Sequence, residues 1–316
     1  MSTNKKKRIV VIGGVAAGTS AASKAKRVDP SADVKIIQEE SVVSYGACGI
    51  PYVIEGIVNN FEELVVRPAG VFKSKYGIDI IINTRAYKID RFRKQVHTTD
   101  LQNGKETIFD YDSLVVTTGA RAVVPDLKGV NLDGVFLIRN YNDGVRINDS
   151  TITKNAHSCI IAGAGLIGLE MVEAFKKRVK RGRGGTGMDL TLVEMADHVL
   201  PTMLDKNMAK IVERELEDNG VRIILGERVE EILGVDGQVN GVKTIVLITL
   251  EPSLLATRLS SVQGLSHWGQ FIISSSSMVD HLKPILMHVV SELVCHSAAS
   301  LNILSVHKFD TTISYQ

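Results

Sequence analysis

The sequence predicts an α/β fold built from two parallel-sheet units, followed by a C-terminal tail of anomalous composition. Two observations predict the units. A β-branched apolar run, a glycine turn, an Ala-rich stretch and a second apolar run follow one another from Arg8 to Glu39, and the same order returns from Ser158 to Glu194. A third observation sets the tail apart: residues 1–251 hold 25 of the 27 Gly but 10 Ser, while residues 252–316 hold 13 Ser, five of the eight His and the sole Trp268.

In the first unit, Arg8-Ile9-Val10-Val11-Ile12 reads as a buried strand, the stretch to about Val28 as a helix, and Val34-Lys35-Ile36-Ile37 as the next strand: the βαβ order of a parallel sheet. Ile78–Ile82 and Ala86–Ile89 read as further strands, and Tyr111–Ala120 as a buried strand ending in a Thr/Gly turn. In the second unit, Cys159-Ile160-Ile161-Ala162 and Leu190-Thr191-Leu192-Val193 are the strands and Leu169–Phe175 lies in the helix. Asp205–Asn219 carries Met208, Ile211, Val212 and Leu216 at helical spacing and stops at Asn219-Gly220; Val221–Gly226 is another strand. Lys176–Arg183 packs six basic residues into eight ahead of Gly184-Gly185-Thr186-Gly187, which reads as a solvated helix end and an insertion. The division expected is 1–150, 151–250 and a divergent tail over 251–316, in which no strand-turn-helix order recurs.

With 316 residues, the chain is long enough to bury a sizeable core without a disulfide scaffold. Its 37 basic and 35 acidic side chains are interspersed, which gives no electrostatic footprint for nucleic acid. The apolar run after Lys5-Lys6-Lys7-Arg8 is too short for a signal segment or a membrane span. The expectation is a soluble, cytoplasmic protein without nucleic-acid or membrane partners.

Each glycine turn suits a dinucleotide pyrophosphate, so both units read as Rossmann-like. In Gly13-Gly14-Val15-Ala16-Ala17-Gly18 the first Gly permits the tight turn and Gly18 permits close helix–strand packing, with the helix N-terminus offering N–H groups to the anion. Val15 stands where the motif has its second Gly. The acid expected about 20 residues on, to hold ribose hydroxyls, falls near Gln38, which offers only neutral hydrogen bonding, and Glu39, which is preferred. The second turn, Gly163-Ala164-Gly165-Leu166-Ile167-Gly168, has all three glycines, and Glu194 ends the following strand. A carboxylate there accepts from a ribose 2′-OH and repels a 2′-phosphate, which favours NADH over NADPH.

Three cysteines without CxxC spacing support neither a zinc site nor a dithiol pair, and no metal is expected. Cys159 starts a buried strand and reads as a core residue; Cys295 lies in the tail. Cys48, in Ser44-Tyr45-Gly46-Ala47-Cys48-Gly49-Ile50-Pro51-Tyr52, occupies a Gly/Pro-bounded turn, where position alone leaves a buried thiol and a reactive one equally open.

The ordered set of the first glycine turn, the Cys48 segment, Thr117-Thr118-Gly119-Ala120 and the second glycine turn with Glu194 resembles the flavin-dependent pyridine nucleotide-disulfide oxidoreductases. More narrowly it is similar to their single-cysteine branch of coenzyme A disulfide reductases and NADH oxidases, over about Arg8 to Val246. The resemblance implies FAD on the first unit, with Thr118, Gly119 and Ala120 beside it, and NADH on the second, with Glu170 near the nicotinamide. It implies that electrons pass from NADH through the flavin to Cys48, the redox nucleophile acting on coenzyme A disulfide. Substrate contacts would fall on Ser20, Lys24, Arg27 and Ser44; Lys24 and Arg27, three apart on one helix face, read equally well as solvated. Peroxidase-like members carry a His where this chain has Ala16, which argues against peroxide reduction.

The family's later strand ending in Gly-Asp, which holds the flavin, and its dimerisation domain have no counterpart after residue 246. The resemblance therefore implies a homodimer whose usual dimerisation domain this chain lacks, and the tail reads as a truncated or frame-shifted terminus. Three functions stand at this point: disulfide reduction through Cys48, oxidation of NADH by oxygen through the flavin, and dinucleotide binding without activity.

Overall fold

A computed structural model describes residues 6–153, 156, 158–180, 188–246 and 259–261. The chain opens with β1 (Arg8–Ile12), α1 (Ala16–Val28) and β2 (Asp33–Ile37). A helical turn at Ala47–Gly49, α2 (Ile50–Glu55), a second turn at Phe61–Leu64 and α3 (Ala69–Tyr76) lead to β3 (Ile78–Ile81), β4 (Thr84–Asp90), β5 (Gln95–Asp100), β6 (Glu106–Asp110) and β7 (Ser113–Val116). Then come α4 (Tyr141–Thr153), β8 (Ser158–Ala162), α5 (Leu166–Lys180), β9 (Asp189–Glu194), α6 (Lys206–Asp218), β10 (Val221–Leu225), β11 (Glu227–Val235), β12 (Gln238–Val246) and β13 (Leu259–Ser261).

The described residues form two compact units. The first takes residues up to Gly46 and Glu62–Ala120; the second takes Ala47–Phe61 and the residues from Arg121 onward. In the first, a parallel sheet runs in the order β3-β2-β1-β7, with Arg8 opposite Asp33 and Ile9 opposite Ser113. Successive residues of β1 serve opposite faces. Val11 joins Ala22, Val34, Ile36, Phe72 and Ile78 on the helical side, while Val10 and Ile12 join Ile37, Val96 and Tyr111 on the side of the antiparallel sheet β4-β5-β6. Covering both faces is what demands the near-continuous apolar run that marked β1 in the sequence.

The second unit repeats the plan. Its parallel sheet runs β10-β9-β8, with Ser158 opposite Asp189 and Val221 opposite Leu190. The antiparallel meander β11-β12-β13 contributes Val229, Ile232 and Val242 to a core shared with Ile160 and Val193. Helix α6 starts as its sequence requires: Asp205 accepts hydrogen bonds from Asn207 and Met208 N–H at 2.8 and 3.1 Å, satisfying two of the donors a helix start leaves unpaired.

Three features depart from the sequence reading. The units do not part at residue 150, because α2 and α4 pack within the second unit: Phe61 and Tyr141 meet edge to face with centroids 5.6 Å apart, and a Cβ at Gly144 would lie 2.6 Å from Ile50. Strands β5, β6, β11 and β12 were not expected; in β5 only Val96 and Thr98 are buried, too few to mark a strand by hydrophobic alternation. Helix α5 runs through the first basic residues of the expected solvated end, and Arg178 among them is buried. Of the tail, Leu259–Ser261 pairs with β12 as β13; its other residues, Cys295 and Trp268 among them, and the insertion at 181–187 lie outside the described residues.

Candidate active site

The two glycine turns share one geometry. At Gly13 the backbone is left-handed, with φ +102°, and its N–H donates to the Ile37 carbonyl at 2.8 Å; at Gly163, φ is +107° and the N–H donates to Val193 at 2.8 Å. A Cβ on Gly18 would lie 1.7 Å from the Gly13 carbonyl oxygen, and one on Gly168 would lie 2.0 Å from that of Gly163. Any side chain there forces the helix off its strand, so the third Gly of each motif is a packing requirement.

The side chain that ends each second strand folds back onto its turn. Gln38 is buried, and its Oε1 accepts the Gly14 N–H at 2.6 Å. Glu194 is buried, and its Oε2 accepts the Ala164 N–H at 2.7 Å while Oε1 accepts the Ala196 N–H at 2.9 Å. The turn carbonyls are used in parallel as well, Gly14 accepting from Ser44 N–H and Ala164 from Leu200 N–H, each at 2.9 Å. Glu39, preferred in the sequence as the ribose acceptor, is half-exposed and ion-paired with Arg85 at 2.8 Å.

The N-terminus of α1 has Val15 as its cap, with no side-chain cap hydrogen bond and no acid in the first turn. Ala16 is exposed and Ala17 half-buried. An uncapped helix start beside a glycine turn is a seat for an anion. At the second turn Gly165, Leu166 and Ile167 are half-buried, α5 likewise has no acid in its first turn, and Glu170 lies half-buried one turn further along. Thr118, Gly119 and Ala120 are exposed after β7, with Gly119 at φ +67°. The member of that motif that touches the first turn is Thr117, whose Oγ1 lies 2.9 Å from the Ile12 carbonyl and 3.1 Å from that of Gly13.

Ser44 is buried at φ +51° and is fixed at both backbone ends, its N–H on Gly14 and its carbonyl accepting from Val66 at 2.8 Å. Ser20, Lys24 and Arg27 are exposed on α1. Cys159 is buried in β8, as its strand position implied, whereas Cys48 is exposed in the turn that leads into α2. Ser44 belongs to the first unit and Cys48 to the second. A surface groove of about 370 Å³ between Lys210, Glu213, Arg214 and Glu217 of α6 and Ile223 and Leu225 of β10 contains no residue of either turn. Among the described residues, no group of three or more His, Cys, Asp or Glu side chains is placed to hold a metal ion, and no helix is long and apolar enough to cross a membrane.

Comparison with known proteins agrees with the paired turns. The model of a family described as "Pyridine nucleotide-disulphide oxidoreductase" matches residues 7–253. An NADH oxidase of Methanocaldococcus jannaschii is 34% identical over 250 residues, covering 77% of this chain and 54% of that protein. An NAD(P)H coenzyme A polysulfide/persulfide reductase of Pyrococcus horikoshii is 34% identical over 262 residues, covering 80% and 56%. Among solved structures, an NAD-dependent persulfide reductase from A. fulgidus superposes with a TM-score of 0.70 at 32% identity, covering 85% of this chain and 46% of that one. The chain thus spans about half the length of the curated relatives it matches.

Proposed function

Because this chain belongs to the pyridine nucleotide-disulphide oxidoreductase family, we propose that it is a flavoprotein oxidoreductase that uses NADH to reduce coenzyme A disulfide or a similar small disulfide through Cys48. The observation that carries this reading is the duplicated turn: two βαβ units, each with a left-handed glycine and a side chain, Gln38 in one and Glu194 in the other, folded back from the end of the second strand.

The first turn fits the pyrophosphate of FAD. Gly13 makes the tight turn, Gly18 lets α1 pack closely on it, and the uncapped start of α1 offers N–H groups. Gln38 holds the turn closed, and Gln38 and Glu39 would be the side chains to meet the adenosine ribose. When bound, FAD supplies the relay that takes reducing equivalents from NADH and delivers them to the acceptor.

The second turn fits NADH. Two backbone N–H groups fix the Glu194 carboxylate in place, and a carboxylate there accepts ribose hydroxyls and opposes a 2′-phosphate. Exposed Cys48 would act as thiolate: its sulfur bonds to one sulfur of the disulfide, the S–S bond breaks, and the departing thiolate takes up a proton. Lys24, Arg27 and Ser20 offer donors on an exposed helix face to a phosphorylated substrate, and Ser44 is held rigidly near the first turn.

A second reading has oxygen as the acceptor in place of the disulfide; the likeness to the M. jannaschii NADH oxidase favours it. Both readings require flavin. The visible absorption spectrum of the purified chain tests that requirement, with flavin bands that NADH bleaches under anaerobic conditions expected. A colourless protein that still binds NADH contradicts both readings and leaves a dinucleotide-binding protein.

A further inference from the structure

Arg178 comes from the basic run expected to be solvated, yet it is 4% exposed. A buried guanidinium is tolerated only where its donors are used. Nη1 of Arg178 donates to the Ile54 carbonyl at 2.8 Å and to Oδ1 of Asn148 at 2.9 Å. One nitrogen therefore joins α2, α4 and α5 inside the second unit.

The Ile54 carbonyl needs such a partner. Helix α2 is six residues long, and the N–H groups of Gly56, Ile57 and Val58 just beyond it serve the carbonyls of Tyr52 and Val53. Ile54 lies in the last turn, whose carbonyls have no partner within the helix, and Arg178 supplies one. A helix this short does not hold its conformation alone, so its orientation depends on tertiary ties. Among them are the burial of Ile50, Pro51, Val53 and Ile54, the packing of Ile50 and Phe61 against Gly144, and the polar tie of Arg178 to the helix end. The turn carrying Cys48 runs directly into α2.

We propose that Arg178 is a positioning residue for Cys48, fixing the end of α2 onto α5 and α4 so that the Cys48 turn keeps one orientation. This rests on the reading of Cys48 as the nucleophile toward a small disulfide. Exchange demands alignment of the attacking sulfur with the S–S bond, whereas alkylation of an exposed thiol by a small reagent does not.

The test uses the purified full chain without nucleotide and follows the Cys48 peptide by mass spectrometry. Two rates are measured at one pH: mixed-disulfide formation with coenzyme A disulfide, and alkylation by iodoacetamide. Arg178→Met removes the donors and leaves the buried Ile54 carbonyl without this partner; it should slow the mixed disulfide about tenfold and leave alkylation within about twofold. Arg178→Lys, which keeps the charge and one donor nitrogen on a side chain one bond shorter, should recover part of the loss. If Arg178→Met does not fold, Arg178→Lys decides, with exchange about threefold slower and alkylation unchanged in support. Exchange at the wild-type rate in the variants, or equal slowing of both reactions, overturns the proposal. A wild-type Cys48 that forms no mixed disulfide refutes the underlying reading, and the inference falls with it.

Discussion

The Glu194 carboxylate accepts the Ala164 backbone N–H at 2.7 Å, which ties the end of β9 to the second glycine turn. Gln38 bears the same relation to Gly14 in the first turn, at 2.6 Å. The carboxylate and the amide do the same structural task, holding the turn against its neighbouring strand. Only the carboxylate also carries charge, which on the proposed reading would face a ribose, and this difference separates the two turns chemically.

Glu194→Gln keeps an acceptor for the Ala164 N–H and removes the charge. The KM for NADH should rise about five- to tenfold and the preference for NADH over NADPH should shrink, measured as the ratio of kcat/KM for the two nucleotides. An unchanged ratio would show that Glu194 serves the turn alone.

Gln38→Leu leaves the buried Gly14 N–H without its acceptor, a loss of about 1–3 kcal/mol. Urea denaturation should register it, and FAD content per chain should fall. Gln38→Glu should preserve both.

Gly168→Ala sets a methyl 2.0 Å from the Gly163 carbonyl oxygen, so α5 must shift from β8. The expected cost is about 1–3 kcal/mol in stability, accompanied by weaker NADH binding in a fluorescence titration. Gly237→Ala is the contrast: no atom lies within 4 Å of its Cβ, so no clash arises, and its left-handed φ of +78° alone sets its cost.

A hydrogen bond from Lys73 holds the Asp79 carboxyl below its ordinary value of 3.8, with the charges of Lys73 and Lys35 acting in the same direction. Because the folded value is depressed, the stabilisation is present above pH 3.8 and is lost as pH falls through the folded value. Asp79 is partly exposed, so the effect is expected to stay under about 1 kcal/mol. Asp79→Asn should lower the melting temperature slightly at neutral pH, and the gap to wild type should close under acid conditions.

Much of the plan was legible because both faces of each parallel sheet are covered. That makes β1 and β8 continuous apolar runs, and the glycine turns at their ends are sequence patterns with one backbone meaning. What escaped the sequence depends on distant partners. Nothing local distinguishes Arg178 from Lys176 or Lys177, and only the packing of α2 and α4 against α5 makes it a buried donor. Likewise, Gln38 and Glu39 are adjacent, and strand alternation decides which one meets the turn and which one meets Arg85. Strands β5 and β6 are short and polar, and their role as the cover over Val10 and Ile12 becomes visible only in the sheet.

The central claim is tested most directly by supplying NADH and coenzyme A disulfide to the purified protein without oxygen and counting thiols released. The account expects two thiols for each NADH oxidised, and none above background with Cys48→Ser. Thiol release undiminished by Cys48→Ser, or NADH oxidised only once oxygen is admitted, would contradict it.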